Sequence, residues 1–438
     1  MFVLSNLIFV ALLTTTTAYA CISFGKIRRN VLLGKTEDRS DKPLERLKIM
    51  LLVALGQKKM FSRPIPAILH LFIYVGFLIV NIEMLEIVID GIFGTHRVFA
   101  PLLGSFYPIL INTFEFFAFT VIGVCIVFLT RRNVLKINRF QSPELKKWPV
   151  LDANIILIVE IVLMGAFLNM NAFDQILQTK GSDHYVATGQ FLFSQFLVPL
   201  YENLDVASLI TFERGSWWVH IIGVFLFINY LPYSKHLHIM LAFPNTYFSN
   251  LHSKGEMQNM ETVTKEVKSM LNLPVDMSAN AETLPEKFGA KDVTDLSWKN
   301  LLEAYTCTEC GRCTSVCPAN ITGKALSPRK IMMDTRDRLE EVGGNINQLE
   351  VVIEDGKSLL GDYITDEELL ACTTCNACVE ACPVNISPVD IILQLRRYRV
   401  MEESKAPQSW NGMFSNMETS ASPWKFPPSD RFNWAEKV

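Results

Sequence analysis

Outside two short stretches near its end, this 438-residue chain is almost without cysteine. Eight of the ten cysteines fall in those stretches, and the other two, Cys21 and Cys125, stand alone in apolar runs. That pattern excludes a small secreted scaffold stapled by cystines. Charge is scarce as well. Only 19% of residues are charged against 50% hydrophobic, too apolar a balance for an ordinary soluble protein. The net charge of −3 is uninformative about nucleic acid, because basic residues are concentrated in particular loops, and no nucleic-acid partner is expected. The first twenty residues end in Ala18-Tyr19-Ala20, imitating a signal-peptidase site, but lack the positive n-region of a cleaved leader. They read as a retained first helix.

What the chain does have is long hydrophobic runs. Five stretches, at about 2–24, 66–89, 106–130, 151–171 and 216–234, approach the ~20 residues needed to cross a bilayer. The segments between them alternate in charge. Residues 26–63 hold eleven Lys or Arg against four acids, and 131–149 hold six against one. The segment 90–105 has only Arg97 as a base, and 172–215 has two bases against five acids. The positive-inside rule then places the N-terminus outside and everything after residue 235 in the cytoplasm of a bacterial inner membrane. A shorter apolar run at 49–53 is expected to lie in the interface.

The cysteine stretches repeat one pattern. Cys307, Cys310, Cys313 and Cys317-Pro318 are followed by Cys372, Cys375, Cys378 and Cys382-Pro383, each reading C-x2-C-x2-C-x3-C-P. Such spacing wraps three thiolates around a 4Fe–4S cube while proline turns the fourth cysteine towards a second cube. The expected sets are Cys307, Cys310, Cys313 with Cys382, and Cys372, Cys375, Cys378 with Cys317. Zinc is the competing metal, but it favours paired C-x2-C units. The 54 residues between Cys317 and Cys372 exceed what a compact βαβ ferredoxin requires, so a helical ferredoxin domain is expected. The whole is therefore read as all-α. A transmembrane haem domain spans 1–245, and a polar linker with one helix near 258–271 spans 246–297. The two-cluster domain spans 298–400, and a tail at 401–438 is expected to touch a partner.

Histidine depth selects haem ligands. A haem b in a bundle needs two imidazoles at one level, on different helices. His70 begins the second span, whereas His236 and His238 end the fifth. His220 stands eighteen residues before His238, about 27 Å along an unbroken helix. His70 can therefore meet His238 or His236, but not His220, while His96, His184 and His252 fall in loops. Among acids inside the bilayer, Glu160 lies near the middle of the fourth span and is the proton-relay candidate. Glu83, Glu86 and Glu115 lie nearer the outer ends, and for Glu83 and Glu86 an interhelical hydrogen bond or interfacial exposure is expected.

Two resemblances add to these readings. Trp218-Val219-His220, then Leu231-Pro232-Tyr233-Ser234-Lys235-His236-Leu237-His238 with Pro244, resembles the last helix of the gamma subunit of respiratory nitrate reductase, a five-helix dihaem b family with its N-terminus outside. The resemblance implies that His70 and His238 hold the haem nearer the cytoplasm. It implies a ligand role for His220 too, but the partner position falls near Val80 and Asn81, so one haem b is expected. The stretch Trp298 to Pro318, with Gly323-Lys324 and Leu326-Ser327-Pro328, resembles the ferredoxin part of heterodisulfide-reductase-like membrane iron–sulfur oxidoreductases. Their relatives include the quinone-linked enzyme that oxidises electron-transfer flavoprotein. That likeness implies electron relay between a soluble redox subunit and a membrane quinone, expected to be menaquinone. Many relatives carry cysteine-rich CCG domains, and no cysteine follows Cys382 here. A separate CCG-domain subunit, electron-transfer flavoprotein, or both are the implied partners. The rival reading is a membrane-anchored polyferredoxin that assists cytochrome oxidase assembly.

Overall fold

The computed structural model describes residues 2–274, 287–351 and 354–436. Parts of the expected linker (275–286), of the interval between the cysteine runs (352–353) and of the tail (437–438) lie outside the described residues. Five helices are long and apolar enough to cross a membrane. They are α1 (Phe2–Val31), α2 (Pro64–Phe93), α3 (Tyr107–Leu129), α4 (Trp148–Thr179) and α5 (Val206–Tyr230). Among the described residues there is no β-strand, only two isolated bridges. The helices outrun the expected stretches because hydropathy marks the hydrocarbon slab, whereas the backbone goes on hydrogen-bonding beyond it. At thirty residues α1 is about 45 Å long. Its last turns emerge from the bundle carrying Arg28, Arg29 and Asn30.

Those emergent turns seat the C-terminal domain. Asn30 donates to the Tyr305 hydroxyl at 3.0 Å, and Arg29 reaches Asn347 and the Gly343 carbonyl. Gly34 passes so close to Ser297 and Trp298 that a Cβ would stand 2.6 Å from the Trp298 amide nitrogen. Both basic segments meet the same domain. Lys59 donates to the Val379 carbonyl and Asn385, Arg329 pairs with Glu144 at 2.7 Å, and Arg312 donates to the Met60 carbonyl. The cationic segments and the cysteine runs therefore share one end of the bundle.

One expectation needs correcting. The fifth span does not continue as helix through His238. Pro232 lacks an amide proton, and the chain leaves the helix through a 3₁₀ turn at Leu231–Tyr233. Ser234 is fully extended (φ −117°, ψ 153°), and its hydroxyl accepts from the His236 amide. A new helix, α6 (His238–Tyr247), begins at His238. The apolar run near residue 50 extends a short helix, Pro43–Met50, that packs on α6, where the buried Arg46 donates to the Ser249 carbonyl.

Candidate redox site

The two cysteine runs are built as matching halves. Helix α7 (Trp298–Thr306) opens on Ser297, whose hydroxyl exchanges hydrogen bonds with Asn300, and it ends by delivering Cys307. Helix α8 (Asp366–Ala371) opens on Thr365, paired in the same way with Glu368, and delivers Cys372. In each half the residues flanking the second cysteine are left-handed. Glu309 (φ 55°) and Gly311 (φ 70°) surround Cys310, and Thr374 (φ 55°) and Asn376 (φ 59°) surround Cys375. At Gly311 a Cβ would lie 2.5 Å from an Arg329 guanidinium nitrogen, whereas the matching Asn376 holds the same left-handed backbone with a side chain. Symmetry then lapses. Pro318 starts a short helix, whereas Asn385, at the position matching Asn320, is left-handed.

The fourth cysteine of each run lies with the other run. Burial pushes the Cys307 thiol up to about 12, and Glu309, Cys310 and Cys382 beside it add to the rise. Burial likewise holds Cys378 at about 12, with Cys372, Cys317 and Cys375 as its neighbours. Cys382 is raised to about 11 by burial and then by Cys310. Thiols this reluctant to ionise become thiolates when a metal displaces the proton. Among the described residues no three such side chains converge tightly enough to grip a single ion. Cys375 is exposed, whereas Cys307, Cys317 and Cys378 are buried.

Of the sequence-selected histidines, the structure brings His70, His236 and His238 together. The His70 and His238 rings lie 6.4 Å apart, centre to centre, at 41°. Two imidazoles that each coordinate one metal at about 2 Å have ring centres about 6 Å apart, so this separation fits a shared iron. Their Nδ1 atoms are occupied. That of His70 contacts Gln57 Oε1 at 3.2 Å, and that of His238 contacts the Lys235 carbonyl at 2.9 Å. Ligation would then fall to the Nε2 atoms, with each ring held in orientation from behind. His236 stacks on His238 at 5.7 Å, and its buried Nδ1 has no partner among the described residues. His220 lies apart, its Nδ1 on the Leu163 carbonyl at 3.0 Å and its ring against Phe167.

Residues that the sequence did not single out connect these groups. Lys235, whose carbonyl meets His238, sends its ammonium to Glu309 inside the first cysteine loop at 2.7 Å. The same ammonium donates to the Pro149 carbonyl, and the Lys235 amide donates to Asp152. Arg336 holds the other oxygen of Glu309 at 2.9 Å. The spacing of cysteine and histidine carries no trace of this pair.

The other end of the bundle holds a cavity of about 390 Å³. Its walls include Phe9, Ile87, Met170, Trp217 and Trp218, with Glu83, Asp90 and Asp174 among the polar groups. Glu86 accepts from Tyr107 at 2.8 Å and from the Phe99 amide, the interhelical bonding expected of it. Glu115 is similarly occupied by Asn171, Ser194 and the Phe193 amide. Arg97 is anchored on Asp174 and Asn171. Glu83 differs: it is only 2% exposed, and one carboxylate oxygen has no partner among the described residues. Glu160 stands on α4 away from these acids and from the histidines, with Cys125 of α3 close enough to sense its charge.

The 4Fe-4S dicluster domain family (Fer4_9) matches residues 306–386, which contain both cysteine runs. Fold and match together define an iron–sulfur protein with membrane-crossing helices. Its homologues are FadF-like iron–sulfur oxidoreductases, an EtfAB:quinone oxidoreductase and heterodisulfide reductase subunits. The chain is 28% identical to "Probable iron-sulfur-binding oxidoreductase FadF" of Bacillus subtilis, an alignment covering 100% of this chain and 62% of that protein. It is 27% identical to "EtfAB:quinone oxidoreductase" of Syntrophomonas wolfei, covering 98% of this chain and 59% of that protein. Over 34% of its length it is 34% identical to a "Probable membrane-anchored ferredoxin" of Chromohalobacter salexigens, covering 24% of that protein. The chain thus spans about three fifths of the FadF and EtfAB:quinone proteins that it matches. No solved structure matches.

Proposed function

We propose that the chain is a membrane-bound electron-transfer subunit that relays electrons between a soluble redox partner and a membrane quinone, menaquinone in particular. Two 4Fe–4S clusters and one haem b supply one-electron chemistry when bound. Cys307, Cys310, Cys313 and Cys382 would hold one cube, Cys372, Cys375, Cys378 and Cys317 the other, and His70 and His238 the haem iron. The observation that carries this reading is the reach of Lys235, which touches the backing of His238 with its carbonyl and the first cysteine loop with its ammonium. The exposed Cys375 makes the second set the entry side for a partner of the CCG-domain or electron-transfer-flavoprotein kind.

The name of the EtfAB:quinone oxidoreductase relative favours the quinone half of the reading. The cavity around Glu83 supports it on physical grounds, because a quinone headgroup needs apolar walls and a group that can exchange its protons. Thirteen residues of α2 separate His70 from Glu83, about 20 Å, so charge moving between them would cross much of the hydrocarbon. Placement in a bacterial inner membrane, with the N-terminus outside and the cysteine domain in the cytoplasm, completes the reading. Its support is that both cationic segments lie at the cysteine end.

A reduced-minus-oxidised spectrum of the purified protein tests the proposal. A haem b signal is expected in the wild type and in His236→Ala and His220→Ala, and is lost in His70→Ala and His238→Ala. Iron without haem, together with inertness towards menaquinol analogues, would overturn the reading and leave the assembly-ferredoxin alternative standing.

A further inference from the structure

A second, smaller pocket of about 230 Å³ opens where α3 ends and α4 begins, at the same end of the bundle as the cysteine domain. Arg132, Lys136 and Lys146 line it together with Asn133, Gln141 and Phe140, and no Asp or Glu does. Arg132 spends one guanidinium nitrogen on the Pro149 carbonyl at 3.2 Å and lies over the Phe140 ring at 5.0 Å. Its Nε is buried and has no partner among the described residues. Lys136 and Lys146 are exposed. The one acid of the segment 131–149, Glu144, is turned away to Arg329 and Ser327. Three cations thus line a cavity that no carboxylate lines, although Glu309 and Asp152 lie near enough to Arg132 to act on its charge.

The depth of the pocket says what would compensate them. It adjoins the ends of two helices long and apolar enough to cross a membrane, Phe99–Val134 and Trp148–Thr179, where headgroups would lie. Val134, Leu135 and Trp148 beside it are exposed, the arrangement of interfacial anchors that lie against acyl chains. A free anion would use the cations but not this apolar rim. A basic pocket between spans next to exposed apolar side chains suits a lipid phosphate. We propose that this pocket binds the phosphate headgroup of one anionic phospholipid in the leaflet facing the cysteine domain. Lys136 and Lys146 would supply the charges that face it, with the Arg132 guanidinium as the cation behind them.

The test is lipid retention by the full chain with its clusters. Protein would be equilibrated in nanodiscs of phosphatidylcholine containing a minor fraction of phosphatidylglycerol or cardiolipin, then released and weighed by native mass spectrometry. One anionic lipid per chain is expected. Retention should fall about tenfold or more in Lys136→Ala/Lys146→Ala, whose exposed positions spare the fold, and should fall as well in Arg132→Gln. The control Lys26→Ala/Arg28→Ala, on the same leaflet but outside the pocket, should retain the lipid. Unchanged iron absorption certifies each variant as folded and separates this outcome from any failure of the electron-transfer reading. Equal retention of phosphatidylcholine, an equal loss in the control, or displacement of the lipid by inorganic phosphate alone would overturn the proposal.

Discussion

Lys235 and Glu309 form an ion pair at 2.7 Å that joins the break after the fifth span to the first cysteine loop. Both side chains are largely buried, and Arg336 shares the glutamate from its far side. Burial alone would raise the Glu309 carboxyl, yet Lys235 and Arg336 hold it below the ordinary range. In Lys235→Met the charge of Glu309 keeps only one partner, and removing one member of a buried pair costs about 3 kcal/mol. Retained iron is expected, with about tenfold slower reduction of the membrane acceptor and faster proteolysis between the bundle and the cysteine domain. The double variant Lys235→Met/Glu309→Gln should recover part of the stability, since the charge of Glu309 is gone while Arg336 keeps Asp337. Equal stability of the two single variants and the double would refute the coupling.

The crossed cysteine sets predict which half each substitution injures. Cys382→Ser should perturb the cluster of Cys307, Cys310 and Cys313, and Cys317→Ser that of Cys372, Cys375 and Cys378. Each should lower the iron content from about eight towards about four per chain. Paramagnetic resonance of the remaining cluster distinguishes the two variants. A Cys382→Ser spectrum that has lost the signal abolished by Cys375→Ser would contradict the crossing.

Asp390 makes stability depend on pH. Burial, reinforced by Glu303, raises its carboxyl to about 6. The folded state therefore binds a proton that the unfolded state has already released above its ordinary value near 4. The resulting stabilisation is complete below about pH 4 and is lost as pH rises through about 6, up to about 3 kcal/mol in all. Asp334, raised to about 6 chiefly by burial, acts in the same direction. Thermal melts of the cysteine domain within the full chain should shift upward from pH 7.5 to pH 5.5. Asp390→Asn should remove about half of that slope, and an undiminished slope in the variant would exclude Asp390 as its source.

Glu83→Gln keeps the volume of the side chain but removes its proton exchange. With a quinone analogue as acceptor, turnover is expected to fall about a hundredfold. The haem and iron spectra should be unchanged, and so should reduction of the clusters by dithionite. Glu86→Gln, which lies in an already satisfied network, should lose less than about tenfold. Equal losses in the two would mean that the cavity as a whole, rather than Glu83, is being read.

The legible part of this molecule is local. Three cysteines of each run are close in sequence, so their spacing alone describes a loop around a cube. Hydrophobic runs mark the spans because each helix satisfies its own backbone. The pairing of His70 with His238 was accessible because depth along a helix is a count of residues. The same counting misjudged the path beyond Tyr230, because the Pro232 break and the Ser234 turn replace rise per residue with loop geometry. Glu83 and Glu86 looked alike in sequence, and only the position of Tyr107 and the Phe99 amide separates them.

The order of residues by itself determined an all-helical chain, the five apolar spans, the two thiol-rich loops and the clustering of cations at alternate segments. Those follow from periodicity, spacing and charge within a few turns of backbone. Tertiary packing decided that Lys235 bridges to Glu309, that Arg29 and Asn30 seat the cysteine domain, that one oxygen of Glu83 is left beside a cavity without a partner among the described residues, and that Arg132 lines a pocket that no acid lines. Each of these depends on side chains from separate helices meeting in three dimensions, and no local pattern records which cation will find which anion.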